Sequence, residues 1–395
     1  MYVYAFACTL IVISYYFYGT HMDIKPFTIE EFFSLYEFST PHMLSASDCE
    51  TLSVRDLLRL ANMPESALLD QRQNYTESQG NPDLRAAISR LYQQVTTDEV
   101  IVLTAPEEGI YVTMRALLEP GDHVVVLTPA YESLLNLAEH ITGNVSQWAV
   151  RQTADSWELD LAELERLVTA DTKLLIVNFP HNPTGLLPST VEFESIIAIA
   201  RRHGTRLFCD EMYRGLERDP QHRLPSAIDR YDRAIILSGL SKIHGLPGLR
   251  SGWLVLHDDD LRERIMSWKY YTSICPPAPS ELLAQAALQA HGQLVGRNRA
   301  LIGRNLALAE EFFARWPDMF DWRPPQAGPV ALVGVNTPST TTYCHALAQQ
   351  RGVLLLPSSC LGYGNQHVRF GFGRGPFAAA LGAYEATLAE GWTPE

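Results

Sequence analysis

Residues 233–253, RAIILSGLSKIHGLPGLRSGW, pass from an apolar run into a serine–lysine pair and then into a loop rich in glycine and proline. The run 233–240 is short, almost continuously apolar and closed by a turn signal, the mark of a strand buried on both faces. Similar runs occur at residues 99–105 (EVIVLTA), 123–129 (HVVVLTP), 173–180 (KLLIVNFP), 206–213 (RLFCDEMY) and 251–257 (SGWLVLH). Helix-period segments lie between them. In residues 188–203, Pro188 stands at the start, Phe193, Ile196, Ile197 and Ala200 form an apolar stripe, and Gly204 is the stop. This alternation predicts an α/β architecture, a large domain with a mostly parallel sheet flanked by helices.

Beyond the last strand a helical stretch over 279–316, interrupted near Gly292, gives way to short strands around 330–335 and 352–357. A chain of 395 residues with 46% hydrophobic side chains can bury one large core and a smaller one. We expect a large domain over 69–295, a smaller α+β domain over 296–395, and an N-terminal arm over 22–68 that contributes to the smaller one. Residues 2–18 (YVYAFACTLIVISYYFY) are an uncharged apolar run at the short limit of a membrane span. They lack the basic start and small-residue cleavage site of a signal peptide. The ordinary, polar start at Met22 marks residues 1–21 as a leader of doubtful nativeness; a membrane anchor is expected only if it is native.

The balance of 31 basic and 45 acidic residues, −14, opposes binding to nucleic acid or anionic lipid. The six cysteines are scattered, without Cys-x-x-Cys pairs or histidines at metal-ligand spacing, so no metal is expected and a reduced, cytoplasmic setting fits.

Open parallel sheets place ligands at the carboxyl ends of their strands. At those ends stand Asn178 with residues 182–185 (NPTG), Asp210-Glu211-Met212-Tyr213, and Ser238 with Ser241-Lys242. They supply amide, acid, phenol and amine. Each has a plainer use: Lys242 as a surface lysine, Asp210 as a helix N-cap, Asn182 and Tyr213 as turn residues.

The strings NPTG, D-E-x-Y and S-x-x-S-K-x-x-G-L-P-G-L-R-x-G-W, in this order over residues 70–375, resemble the class I/II aminotransferases of fold type I, which use pyridoxal 5'-phosphate (PLP). The resemblance implies that Lys242 binds the cofactor aldehyde, is displaced by the substrate amine and then moves the α-proton. It implies that Asp210 keeps the pyridine nitrogen protonated and that Asn182 and Tyr213 hydrogen-bond the phenolic oxygen. Tyr131 would stack on the ring, with core lining as its alternative. Ser238, Ser241, Arg250 and the helix start at Ala105, Pro106 and Glu107 would hold the phosphate. Tyr75 would reach the phosphate of a neighbouring subunit, which implies a homodimer. Arg369, beside Asn182, would clamp the substrate carboxylate, with Arg374 a weaker candidate; an ion pair is the alternative for Arg250 and Arg369.

Two stretches depart from that family. Its glycine-containing turn before the phosphate-binding helix reads here Thr104-Ala105-Pro106-Glu107-Glu108. Two carboxylates beside a phosphate repel it, so they must turn away or serve the substrate. Glu30, Glu31, Asp48 and Glu50 crowd the N-terminal arm. An ordinary solvated face is the expected reading; the sharper one is that one or two of them, Glu30 first, hold a cationic substrate side chain. With residues 178–183 (NFPHNP) this acidic entry is similar to capreomycidine synthase-like cyclases acting on hydroxylated arginine. Transamination is therefore expected, with elimination and ring closure as the alternative. A non-catalytic regulatory PLP module is disfavoured, because no basic helix-turn-helix segment precedes Tyr75.

Overall fold

The computed structural model describes residues 24–394; the calls on residues 1–21 and on Cys8 lie outside them. Seven strands form the main sheet: β1 (Val100–Leu103), β2 (His123–Thr128), β3 (Val145–Ala149), β4 (Thr172–Asn178), β5 (Arg206–Asp210), β6 (Ala234–Gly239) and β7 (Gly252–Leu256), in the order β1-β7-β6-β5-β4-β2-β3. All six expected strands are present. β3 was not foreseen, because its half-exposed edge position lacks the apolar continuity of the others. All the strands run parallel except β7, which is antiparallel to both β6 and β1. The reason lies in the connection: residues 240–251 hold no crossover helix, and a parallel return needs one.

Alternate residues of the strands bury on opposite sides. Val100, Val102, Val125, Leu175 and Val177 join one core, Ile101, Leu103, Val124, Val126 and Ile176 the other. Helices cover both faces. Thr190–His203 is held by Ser189 and Glu192, each capping the other's backbone N–H, and ends at Gly204 in the left-handed region, φ +67°. The long C-terminal stretch is two helices, Ala278–Gln289 and His291–Arg315. The break falls at buried Ala290, and Gly292 sits inside the second helix.

A second, antiparallel sheet is built from β8 (Phe320–Asp321), β9 (Val330–Val335), β10 (Leu356–Pro357) and β11 (His367–Gly371), in the order β8-β9-β11-β10. The N-terminal segment runs against it: His42–Met43 pairs with Val353–Leu354 as a separate two-stranded sheet, and Leu44 O accepts from Gly371 N at 2.7 Å. Farther on, Glu50 N donates to Gly373 O at 2.7 Å. A Cβ on Gly371 would lie 1.9 Å from Ala46 O, and one on Gly373 2.0 Å from Asp48 O, so only glycine lets the segment run this close. Among the described residues no helix is long and apolar enough to cross a membrane.

Candidate active site

Where β4, β5 and β6 end, a cavity of about 410 Å³ opens between the main sheet, the N-terminal arm and β11. Lys242 lines it, on the loop between the antiparallel neighbours β6 and β7. Its Nζ donates to Ser47 Oγ at 2.8 Å. Burial lowers the pKa of this amine, opposed by the carboxylates of Asp48, Glu30 and Asp210 and reinforced by Arg369.

Asp210 closes β5, level with Asn178 on β4. Its Oδ1 accepts from Met212 N at 3.0 Å, and burial pushes its pKa up to about 6. A turn, not a helix, follows, which removes the N-cap alternative. Asn178 braces this corner: its Nδ2 donates to Asp210 O at 2.9 Å and its Oδ1 accepts from Asn182 N at 2.7 Å. His181, buried and held neutral with its pKa lowered to about 4, bonds Thr184 Oγ1 and Pro129 O, tying the NPTG turn to the turn that carries Tyr131. Tyr213 donates to Ser47 O at 2.9 Å.

Arg369 on β11 is 2% exposed. Its Nε and Nη2 donate to Ser45 O at 3.3 and 3.0 Å, its Nη1 to Asn182 Oδ1 at 3.4 Å, and it lies over the Phe33 ring. No carboxylate of the described residues forms an ion pair with it, so the ion-pair alternative fails; Glu30 and Asp48 act on it only through space. Arg374 is already taken. Its Nε and Nη2 bond the two Asp48 oxygens at 2.9 and 2.8 Å.

The other predicted residues divide. Pro106, Glu107, Tyr131, Asn182, Ser241, Arg250 and Glu30 line the cavity. Ala105 does not: it is the residue before helix α1 (Pro106–Leu117) and lines a wider outer concavity. Ser238 is buried in β6 opposite Trp253 and is not among the residues that line the cavity. Tyr75 is 88% exposed and outside its own chain's cavity. Ser45, Ser47, Glu37 and Phe33 were missed; they carry no motif, and only the close path allowed by Gly371 and Gly373 hints that the arm reaches the site.

The two acids after Pro106 part ways. Glu108 turns aside, its Oε2 accepting from Thr104 N at 2.8 Å and its Oε1 from Thr272 Oγ1 at 2.5 Å. Glu107 faces the cavity and accepts from Ser133 Oγ at 3.1 Å. Burial raises its pKa from 4.5 to about 7; Glu30 and Asp210 add to the rise, while Ser133 and Arg250 oppose it. In the cofactor-free protein this carboxyl contributes full stability below pH 4.5 and loses it as pH rises towards 7. Comparing urea midpoints at pH 5 and pH 8, we expect Glu107→Gln to remove on the order of 1–3 kcal/mol of that decline; equal declines in both proteins would contradict it. Of the arm's acids, Glu30 and Asp48 line the cavity, Glu31 the outer concavity, and Glu50 accepts from Gly375 N at 2.7 Å. The solvated-face reading thus fails for Asp48, which is buried; Glu30 is exposed at the cavity's edge, where its Oε1 accepts from the Tyr131 hydroxyl at 3.1 Å.

The family model for class I and II aminotransferases matches residues 43–376. The chain belongs to that family. Capreomycidine synthase of Streptomyces vinaceus is 30% identical over 332 residues, 83% of this chain and 81% of that protein. Among solved structures, a PLP-dependent aminotransferase from Streptococcus suis has a TM-score of 0.87 at 25% identity, covering 94% of this chain and all of that one. The PLP-dependent cyclase OrfR also has a TM-score of 0.87, at 28% identity, covering 93% and 98%. This aminotransferase-family enzyme thus has the α/β fold of type I, and its cofactor is pyridoxal 5'-phosphate. The residues present fit that group. Ser241 Oγ is buried in the cavity lining without a hydrogen-bond partner, as an unclaimed phosphate donor would be. Arg250 and the open start of α1 supply charge and amides, Asp210 an acid, and Lys242 an amine.

Proposed function

We propose that this enzyme acts on an L-amino acid with a guanidinium-type side chain, and that it removes a β-substituent and closes a ring. The observation that carries the substrate class is the acidic lining: Glu30, Glu37 and Glu107 share the cavity with Arg369, and Asp48 there already holds a guanidinium, that of Arg374. Arg369 takes the substrate carboxylate with Asn182 beside it, and Glu30 and Glu107 face the cationic end. When bound, the cofactor supplies an electron sink for the substrate's Cα. Lys242 anchors it and moves the Cα proton, Asp210 holds its ring nitrogen, Tyr131 covers the ring, and Ser241 and Arg250 hold its phosphate. The likeness to capreomycidine synthase and OrfR over most of the chain supports ring closure; the family as a whole supports transamination as the second reading.

The test is the holoenzyme with L-arginine, its β-hydroxylated derivative and a panel of aliphatic and acidic amino acids, with product analysis. We expect a cyclic product from the hydroxylated substrate without any amino acceptor. Keto-acid formation that needs an acceptor would establish transamination instead, and preference for aliphatic or acidic amino acids would remove the guanidinium reading. The same reading makes the enzyme a homodimer, with the exposed Tyr75 serving the site of a second copy.

A further inference from the structure

Lys242 Nζ makes a single hydrogen bond among the described residues, to Ser47 Oγ at 2.8 Å. These residues are 195 positions apart. Ser47 is held from several sides. Its carbonyl accepts from the Tyr213 hydroxyl at 2.9 Å, and its neighbours Ala46 and Asp48 lie with their carbonyls against Gly371 and Gly373. Asp48 is clamped by both nitrogens of Arg374, and the preceding Ser45 carbonyl takes two bonds from Arg369. The hydroxyl therefore has a fixed place in the cavity wall.

A lysine that anchors the cofactor has a second task, which begins when the substrate amine has displaced it. Its amine is then free, on a four-carbon stem with many rotamers. To move the Cα proton its lone pair must stay within hydrogen-bond reach of that proton. We propose that Ser47 is the positioning residue for this step: its hydroxyl oxygen accepts one N–H of the displaced Lys242 amine and so holds the lone pair towards Cα. In the step the Cα–H bond breaks, a new N–H bond forms on Lys242, and the electron pair stays with the substrate carbon and the cofactor joined to it. The amine becomes an ammonium, so the bond to Ser47 becomes charge-assisted as the proton arrives and is worth more in the transition state than before it. Asp48, Glu30, Asp210 and Arg369 also bear on the amine, but none of them hydrogen-bonds it.

This inference rests on the reading of Lys242 as the proton carrier. It is tested by exchange of the Cα hydrogen into deuterated water, followed by proton NMR, with the holoenzyme and saturating L-arginine, L-alanine or L-glutamate. The comparison is made on whichever of these the wild type exchanges. We expect Ser47→Ala to slow exchange about tenfold or more, with KM within about threefold and the visible spectrum and its pH titration unchanged, because Ser47 touches only the free amine. Ser47→Thr, which keeps the hydroxyl, restores most of the rate. Exchange at the wild-type rate in Ser47→Ala, or a shift in KM or in the resting spectrum equal to the loss in rate, overturns the role of Ser47. Exchange that survives Lys242→Ala overturns the proton-carrier reading itself, and failure with L-arginine alone overturns only the substrate class.

Discussion

Lys242→Ala yields a folded protein that lacks the visible absorbance of a lysine-bound cofactor and whose kcat falls by at least about a thousandfold. No other lysine lines the cavity among the described residues, so no second amine stands ready to replace it. The loop that carries it is held by its own backbone: Gly245 N donates to Lys242 O, Leu246 N to Leu240 O and Leu240 N to Ser251 O, each at 3.1 Å. Truncating the side chain breaks only the bond to Ser47. The loss is therefore one of chemistry, and far-ultraviolet circular dichroism should be unchanged. Absorbance after reconstitution and stopped-flow turnover check both parts; a rate within tenfold of wild type would place the anchor elsewhere.

Asp210→Asn lowers kcat by about a hundredfold to a thousandfold while KM changes little. The substitution keeps the shape and can keep the bond from Met212 N, but an amide cannot carry the negative charge that holds a ring nitrogen protonated. Burial pushes this carboxyl's pKa up to about 6, because it disfavours an isolated charge there. A cationic ring nitrogen held against Asp210 would relieve this, each charge stabilising the other. A cofactor methylated on that nitrogen, whose ring charge is permanent, should restore a large part of the lost rate in Asp210→Asn and little in Lys242→Ala. Full activity of Asp210→Asn with the ordinary cofactor would remove Asp210 from the site.

Much of this architecture was legible in the chain. The strand ends that carry Asn178, Asp210 and Lys242 could be placed because a strand buried on both faces is a local, continuous apolar signal, and because its end is marked by the first polar side chains. Two positions read from the motif, Ser238 and Ala105, fall outside the cavity lining. Ser238 looked equivalent to Ser241, yet Ser238 stands inside β6 opposite Trp253, while Ser241, past the strand's end at Gly239, lines the cavity. Ala105 stands just outside the cavity, and Tyr75, expected to serve a neighbouring subunit, is exposed and lies outside its own chain's cavity.

By itself, then, the sequence determined the α/β order of elements and pointed to Lys242 and Asp210 as the candidate amine and acid, because each closes a continuous apolar run; Arg369 was named only through the family resemblance. Only the tertiary structure decided which acids matter. Glu107 and Glu108 are adjacent in the chain and look alike, but one helical step sends the first into the cavity and the second to Thr104 and Thr272. It also brought Ser47 to Lys242 and Asp48 to Arg374. Those contacts join segments that meet because Gly371, at the end of β11, and Gly373, just beyond it, let the N-terminal arm pass against them, and such long-range closure leaves no periodicity to read.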